Sequence, residues 1–318
     1  MWKRRNFIKT LAAAGAGNLL YSHVFSLPTD SSNNRKAVRF GIISDLHHLQ
    51  FKNKEETRLK AFMDEVLKIS PDFIVQCGDF CRPQQSEGIM AEWNRFKGPK
   101  YHVLGNHDMD VCNKETIMAL WGMAQPYYSY DFGGYHFVVM DRNFLRKEDN
   151  SLVHYDNSNW SPYSSPFRSF TDQPQLDWLK KDLFANDKPL IVFMHQPVFI
   201  SDYFDELGNA DEILDIFDDA NLNAEKSGSN GKVVAVFMGH DHDDRYGIRN
   251  NVHYFIINST TYVYNEGPHY FKDSIFAFVT LNNGKLTIQG RRTIYRDPVP
   301  DKIRKRFPTI ISDRKLLL

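Results

Sequence analysis

Residues able to ligate metal recur in this sequence where apolar runs end. Ile42-Ile43-Ser44 leads into Asp45-Leu46-His47, and Ile74 to Cys77 leads into Gly78-Asp79. Val103-Leu104 leads into Gly105-Asn106-His107-Asp108, Ile191 to Met194 into His195, and Val236-Phe237-Met238 into Gly239-His240-Asp241-His242. A strand end asks only for turn formers such as Gly, Asn or Asp, so imidazoles repeated there need another reason. Carboxylate, carboxamide and imidazole are donors suited to divalent Mn, Fe, Zn or Co, and two such ions about 3.5 to 4 Å apart can share one carboxylate. Ions held in that way polarise oxygens and lower the pKa of bound water from about 15.7 toward about 7, which is hydrolytic chemistry. Asn and a shared Asp suit an open site, whereas structural sites are usually closed by Cys and His.

Side chains this far apart in sequence meet only if the scaffold gathers strand ends. From Val38 the pattern runs strand, loop, helix: Val38 to Ser44 is a strand, and Lys54 to Ile69 carries Leu59, Phe62, Met63, Val66 and Leu67 at helical spacing. Asp72 to Cys77, Tyr101 to Leu104, Leu190 to Met194 and Val233 to Met238 read as further strands. Ser86 to Phe96, Asp172 to Phe184 and Ala210 to Glu225 read as helices. These βαβ units imply a parallel sheet, whose strand carboxyl ends form a binding crevice. Tyr127 to Phe132 and Tyr135 to Met140, joined by Gly133-Gly134, predict an antiparallel hairpin, so the sheet is mixed. Val252 to Asn258, Ser274 to Leu281 and Lys285 to Gln289 are strands, the last two joined by Asn282-Asn283-Gly284. Arg142 to Phe170 has no period and reads as an insertion facing substrate.

Taken singly, Asp45, Asp79 and Asn106 would pass as turn or helix-cap residues. The ordered set D-x-H, G-D, G-N-H-D, H and G-H-x-H, however, resembles the calcineurin-like metallophosphoesterases from Arg39 to about Ser259. The similarity extends to the segment Gln175-Leu176-Asp177-Trp178-Leu179 before the strand into His195. The resemblance implies a four-layer α/β/β/α fold, a mixed β-sandwich flanked by helices. It implies that Asp45, His47, Asp79 and His242 hold one metal and that Asp79, Asn106, His195 and His240 hold a second, with Asp79 bridging. It further implies hydrolysis of a phosphodiester or phosphomonoester by a metal-bridging hydroxide. His107 would act as general acid, worth about 10²- to 10⁴-fold, and Asp108 would orient it. Arg82 stands where purple acid phosphatases carry the Tyr of G-D-x-x-Y, which argues against that branch. The alternative is a non-catalytic binding module on the same scaffold, but every ligand position and His107 are filled.

Around that core, His48, Arg82, Asp241, Asp243 and Arg245 adjoin the ligand positions and are candidates to contact phosphate or orient ligands. Trp160, Tyr163, Phe199, Tyr203, Tyr262, Tyr264 and Tyr270 fall in loops able to overhang the cleft, while His102, His136, His154, His253 and His269 read as structural. With Lys plus Arg and Asp plus Glu at 39 each, no global field attracts a polyanion, so a phosphate-ester small molecule or nucleotide-like substrate is expected rather than nucleic acid.

The three cysteines, Cys77, Cys81 and Cys112, read as small buried hydrophobes, with a bridge from Cys81 to either of the others left open. Residues 1–30 run basic, apolar, polar; Arg4 and Arg5 followed by Phe7-Ile8-Lys9 resemble a twin-arginine export signal, although Lys3 and the lack of an A-x-A site depart from it. That resemblance implies passage through the twin-arginine machinery to the periplasm. The apolar run from Leu11 to Phe25 is short for a span, so no stable membrane span is expected in the mature chain. The expected organisation is an export signal over 1–30, a catalytic domain over 37–295 and a basic tail over 296–318.

Overall fold

Segments such as Val233–Met238 are apolar at every position, which requires cover on both faces of a sheet. The computed structural model describes residues 37–51, 53–160, 168–201 and 207–318. The export signal expected over 1–30, Tyr163 and Tyr203 lie outside the described residues. In chain order the elements are β1 (Val38–Ile43), α1 (Glu55–Ile69), β2 (Phe73–Gln76), α2 (Glu87–Trp93), β3 (Lys100–His102), α3 (Lys114–Trp121), β4 (Tyr128–Phe132) and β5 (Tyr135–Val139). They continue with β6 (Phe144–Arg146), β7 (Leu152–His154), α4 (Gln173–Phe184), β8 (Leu190–Phe193), α5 (Ala210–Ser227) and β9 (Val233–Met238). Strands then dominate: β10 (Arg245–Arg249), β11 (Val252–Ile256), β12 (Tyr262–Tyr264), β13 (Pro268–Tyr270), β14 (Ala277–Asn282) and β15 (Lys285–Gly290). The chain closes with α6 (Asp301–Arg306) and β16 (Arg314–Leu317).

Two six-stranded sheets result, ordered β3-β2-β1-β14-β15-β16 and β10-β11-β9-β8-β5-β4. Each is mixed: β1 to β3 are parallel with β14 to β16 antiparallel, and β5, β8, β9 and β11 are parallel between antiparallel edges β4 and β10. Alternate residues serve the two faces. Phe40, Phe73, Phe137, Phe193 and Phe237 meet between the sheets, where Phe40 sits edge-on to Phe193 at 5.7 Å and to Phe237 at 5.8 Å. Burying each such ring stabilises by about 1.5–3 kcal/mol. Ile43, Ile74 and Leu104 pack outward onto Leu59, Phe62 and Val66 of α1 and Trp93 of α2. On the other side Val138, Val192 and Val236 pack onto Leu176 and Leu179 of α4 and Ile213 and Phe217 of α5. The layers are therefore α/β/β/α, as the resemblance implied.

Three regions depart from the sequence reading. Helix α3 was not anticipated; Asn113 caps it by accepting the Thr116 N–H, and Ile117 and Trp121 are buried one turn apart. The insertion over 142–170 begins as core rather than as a substrate-facing loop. Arg142 and Asn143 are fully buried there, the Asn143 amide donates to the Leu104 carbonyl at 2.8 Å, and β6 and β7 form a hairpin. Residues 296–318 are not a tail outside the domain. β16 pairs with β15 as the edge of the first sheet, and Ile303 and Ile311 enter the core between the sheets. Basic residues on an edge strand discourage further strand pairing, which is why the segment reads as polar. All three cysteines are buried and free. Among the described residues no helix is long and apolar enough to cross a membrane.

Candidate metal centre

The loops leaving β1 and β2 run side by side, with the Asp45 N–H donating to Gly78 O at 3.1 Å and the His47 N–H to Asp79 O at 2.8 Å. The loops leaving β8 and β9 do the same, with the Gly239 N–H donating to His195 O at 3.0 Å. The sheets are joined at this end. The His240 N–H points at both Asp45 carboxylate oxygens at 3.2 Å, and His195 Nδ1 donates to Cys77 O at 2.7 Å. Close approach depends on small residues: a Cβ on Gly78, which has φ +92, would lie 2.3 Å from His195 Nδ1. Asp45, His47, Asp79, His240 and His242 all have φ between +49 and +72. Left-handed backbone costs a side-chain-bearing residue about 1–2 kcal/mol, and five cases in one place mark a functional site. At Asp45 the surroundings fix it: Ser259 and Thr261 hydroxyls donate to its carbonyl, and Ser44 donates to its carboxylate.

The seven expected ligands converge. Asp45, His47 and His242 form one group, and Asp79, His195 and His240 another, with the donor atoms of each within 4.8 Å of one another. His47 Nε2 and His242 Nε2 are 2.8 Å apart, and Asp45 Oδ1 lies 3.2 Å from the latter. Asp79 Oδ2 lies 3.1 Å from His195 Nε2 and 3.7 Å from His47 Nε2, so it stands between the groups. Asn106 Oδ1 is 3.0 Å from His240 Nδ1.

These residues fit a pair of divalent cations. His195 is fully buried, its Nδ1 is taken by a carbonyl that fixes the ring, and its Nε2 is thereby aimed at the Asp79 carboxylate 3.1 Å away, where a cation could sit against both. Burial alone would raise the Asp45 carboxyl, yet the His242 and His195 imidazoles outweigh it and hold it well below the usual range. Asp79 is likewise lowered despite burial, chiefly by His195. Burial pulls His195 down, but Asp79 and Asp45 outweigh it and push it to about 10, whereas burial takes His47 to about 4. The cluster is a buried anionic pair seeking positive charge, surrounded by ligating nitrogens.

His107 sits at the rim, a quarter exposed, with its ring edge-on to Trp160 at 4.7 Å and near His47 at 5.1 Å. Its orienting carboxylate corrects the sequence expectation. Asp108 is buried and accepts backbone N–H groups from Asp79, Phe80, Cys81 and Gly105 at 2.7 to 3.2 Å, so it shapes the loop after β2 rather than His107. The carboxylate on His107 Nδ1 is Asp110, at 2.9 Å, and Asp110 also pairs with Arg82. The Gln50 amide nitrogen lies 3.2 and 3.3 Å from the two His107 ring nitrogens, and its oxygen accepts from Tyr262 OH at 3.2 Å. Sequence reasoning missed Asp110 and Gln50; Asp110 was findable as the residue three beyond His107, one turn along a 3-10 segment.

Other expectations divide. Tyr262 packs on His47 and His242 at 5.2 and 4.7 Å, as a wall of the site. Phe199 packs on Tyr254, Tyr270 contacts Tyr262, and Tyr264 stacks on Phe51 with half its surface exposed. His48 lies against Cys81 Sγ at 3.6 Å, and Asp241, Asp243 and Arg245 join a charge network behind the ligands. The five histidines read as structural include His102, buried under Trp93, and His136, bridging Asp131 and Asp182.

Residues 38–244 match the family described as calcineurin-like phosphoesterase. A 3',5'-cyclic-nucleotide phosphodiesterase from Nostoc sp., alr5338, is 24% identical over 249 residues, which cover 72% of this chain and 81% of that protein. Among solved structures, a dimetal phosphatase from Danio rerio is similar with a TM-score of 0.61 at 15% identity, over 81% of this chain and 98% of that one. GAP50, described as the anchor in the inner membrane complex of Plasmodium, is similar with a TM-score of 0.54 at 17% identity, over 89% of each chain.

Proposed function

Because the chain belongs to the calcineurin-like phosphoesterase family and is a metal-dependent phosphoesterase, we propose that it hydrolyses phosphodiesters of small, nucleotide-like molecules. The observation that carries this reading is the convergence of Asp45, His47, Asp79, Asn106, His195, His240 and His242 on one another, next to a small cleft lined by His47, Asp79, Arg82 and His107. Asp45, His47, Asp79 and His242 would hold one cation, and Asp79, Asn106, His195 and His240 the other. When bound, the two cations supply Lewis-acid polarisation of a phosphoryl oxygen and acidify water toward a pKa of about 7. His107 supplies the proton for the leaving oxygen. Asp110 accepts from Nδ1 and so orients the ring for this proton transfer, a contribution of about 10²- to 10⁴-fold. Tyr262 packs on His242 and Trp160 on His107, so each imidazole has an aromatic wall on one side.

Two observations favour a diester over a monoester. The Nostoc relative is named for cyclic-nucleotide phosphodiester hydrolysis. Among the described residues lining the cleft, the Lys or Arg present is Arg82, and its guanidinium is committed to Asp110, which leaves a dianionic monoester less well met. The test is elemental analysis of the purified protein with bis-p-nitrophenyl phosphate and p-nitrophenyl phosphate assayed on the same sample. About two metals per chain with chelator-sensitive hydrolysis, faster on the diester, is expected. Faster hydrolysis of the monoester would overturn the diester assignment, and protein holding two metals that hydrolyses neither would overturn the hydrolytic one. From Arg4-Arg5 and the apolar run after them we also propose twin-arginine export to the periplasm. Export that survives Arg4→Lys with Arg5→Lys would refute it.

A further inference from the structure

The loop Gly239-His240-Asp241-His242-Asp243-Asp244 feeds both metal groups, since His242 joins Asp45 and His47 while His240 joins Asp79 and His195. Its side chains alternate. The histidines point into the site, and each intervening carboxylate is gripped from behind. Asp241 accepts the Ser201 hydroxyl at 3.1 Å. Asp243, whose side chain is 3% exposed, accepts Arg245 Nε at 2.8 Å and Arg306 Nη1 at 2.7 Å. Asp244 accepts the Ser312 hydroxyl and its N–H, with Arg314 at 3.5 Å. Arg306 ends α6, Arg314 begins β16 and Ser312 lies in the loop between them, all beyond residue 244 where the family match ends.

We infer that this C-terminal segment is a clamp, with Arg306 and Asp243 as positioning residues that hold His240 and His242 in ligating geometry. Both histidines sit at positive φ, +72 and +49, which the loop would relax if nothing opposed it. Opposition from outside the loop needs a rigid anchor. The segment supplies one: Ile303 and Ile311 are buried between the sheets, Asn258 donates to Pro308 O at 2.9 Å, and β16 is paired to β15. Asp243 is buried and held from two sides by guanidinium groups, so these contacts fix its position rather than decorate the surface.

The inference rests on the dinuclear reading above, and its test reads metal binding rather than turnover. Metal-free full-length protein is titrated with Mn²⁺ or Zn²⁺, with bound metal measured by elemental analysis after equilibrium dialysis. Groups that orient metal ligands from behind are typically worth about 10- to 100-fold in metal affinity. Arg306→Gln and Asp243→Asn should each weaken binding by about that factor, with Arg306→Lys recovering part of it. Arg304→Gln is the control, since Arg304 lies on the same helix but bonds Asp301 and the Val299 carbonyl instead of the loop. Arg306 is 45% exposed, so its variant remains informative if Asp243→Asn does not fold. Wild-type affinity in Arg306→Gln, or equal loss in Arg304→Gln, overturns the clamp. A wild-type protein that binds neither metal overturns the dinuclear reading itself, which separates the two failures.

Discussion

Replacing Gly105 with Ala tests how closely the site is packed. Gly105 has φ −101 and ψ 170, an extended backbone any residue adopts, so alanine costs nothing conformationally and the effect is purely steric. Its Cβ would lie 2.2 Å from the Asp79 backbone N and 2.3 Å from Asp79 Oδ1. Relief to ordinary contact requires Asp79 to move by about 1 Å, because a packed interior has no void to absorb the methyl. Asp79 stands between the two metal groups and also accepts the His107 N–H at 2.7 Å, so the displacement reaches both groups and the proton donor at once. A 1 Å misplacement costs about 10²-fold in rate, and overpacking costs about 1–3 kcal/mol of stability. The expected outcome is therefore roughly 100-fold lower kcat on bis-p-nitrophenyl phosphate and reduced metal retention. The drop in Tm should be about 1–2 °C per kcal/mol lost, given the length of the chain. Gly122→Ala is the comparison: φ +72 at the end of α3, with nothing within 4 Å of the new Cβ, costs about 1 kcal/mol without touching the site. Gly105→Ala with wild-type turnover and metal content would refute the placement of Asp79 as the shared ligand.

Removing Asp110 should separate orientation from ligation: Asp110→Ala is expected to lower kcat by about 10- to 100-fold with metal content unchanged. An equal effect of Asp108→Ala on kcat alone, with metal and Tm intact, would restore the orienting role to Asp108. Metal removal should itself destabilise, because a ligand present at 100 times its Kd contributes about 2.7 kcal/mol. Calorimetry with and without chelator should show a loss of about 5–10 °C, restored by Mn²⁺ or Zn²⁺, and an unchanged Tm would mean that the buried carboxylates need no cations. His136 gives a pH prediction away from the site. Burial lowers its pKa, but bonds to Asp182 at 2.9 Å and Asp131 at 2.7 Å outweigh it and raise it above the ordinary value. A raised folded pKa contributes stability that is fully present below about pH 6.5 and is lost as pH rises through the folded value. The Tm gap between wild type and His136→Gln should thus be wider at pH 6 than at pH 9, and a gap constant across that range would remove the ionic contribution.

What was legible in the sequence was whatever local pattern and chemistry determine together. The strand into His195 and the strand into His240 are unbroken apolar runs bounded by polar residues, so their ends could be located, and the expected ligands sit at those ends. Helix α1 was legible because Leu59, Phe62, Met63 and Val66 keep one period over fifteen residues. Helix α3 has eight residues and only two buried apolar side chains in register, Ile117 and Trp121, too few to stand out, although Asn113 and Gly122 mark its two ends. Asp110 was hidden for a different reason. The motif ends at Asp108, and only the tight turn over Asn106–Met109 brings the next aspartate back to His107. Motif adjacency suggested the wrong carboxylate because backbone N–H groups had already claimed it.

The C-terminal segment shows the same limit at longer range. Its basic residues look like a solvated tail when read in sequence, since nothing local says that Arg306 and Arg314 have carboxylates waiting more than sixty residues away. Those carboxylates, Asp243 and Asp244, look in turn like surface charge beside a metal motif. Each half is unremarkable alone. Together they give a strained, ligand-bearing loop an external support, which a loop with two left-handed histidines requires. The ligands can be read from motif because chemistry restricts their type. Their support cannot, because any rigid segment with suitable charge could provide it, and in this chain it is the last strand and helix that do.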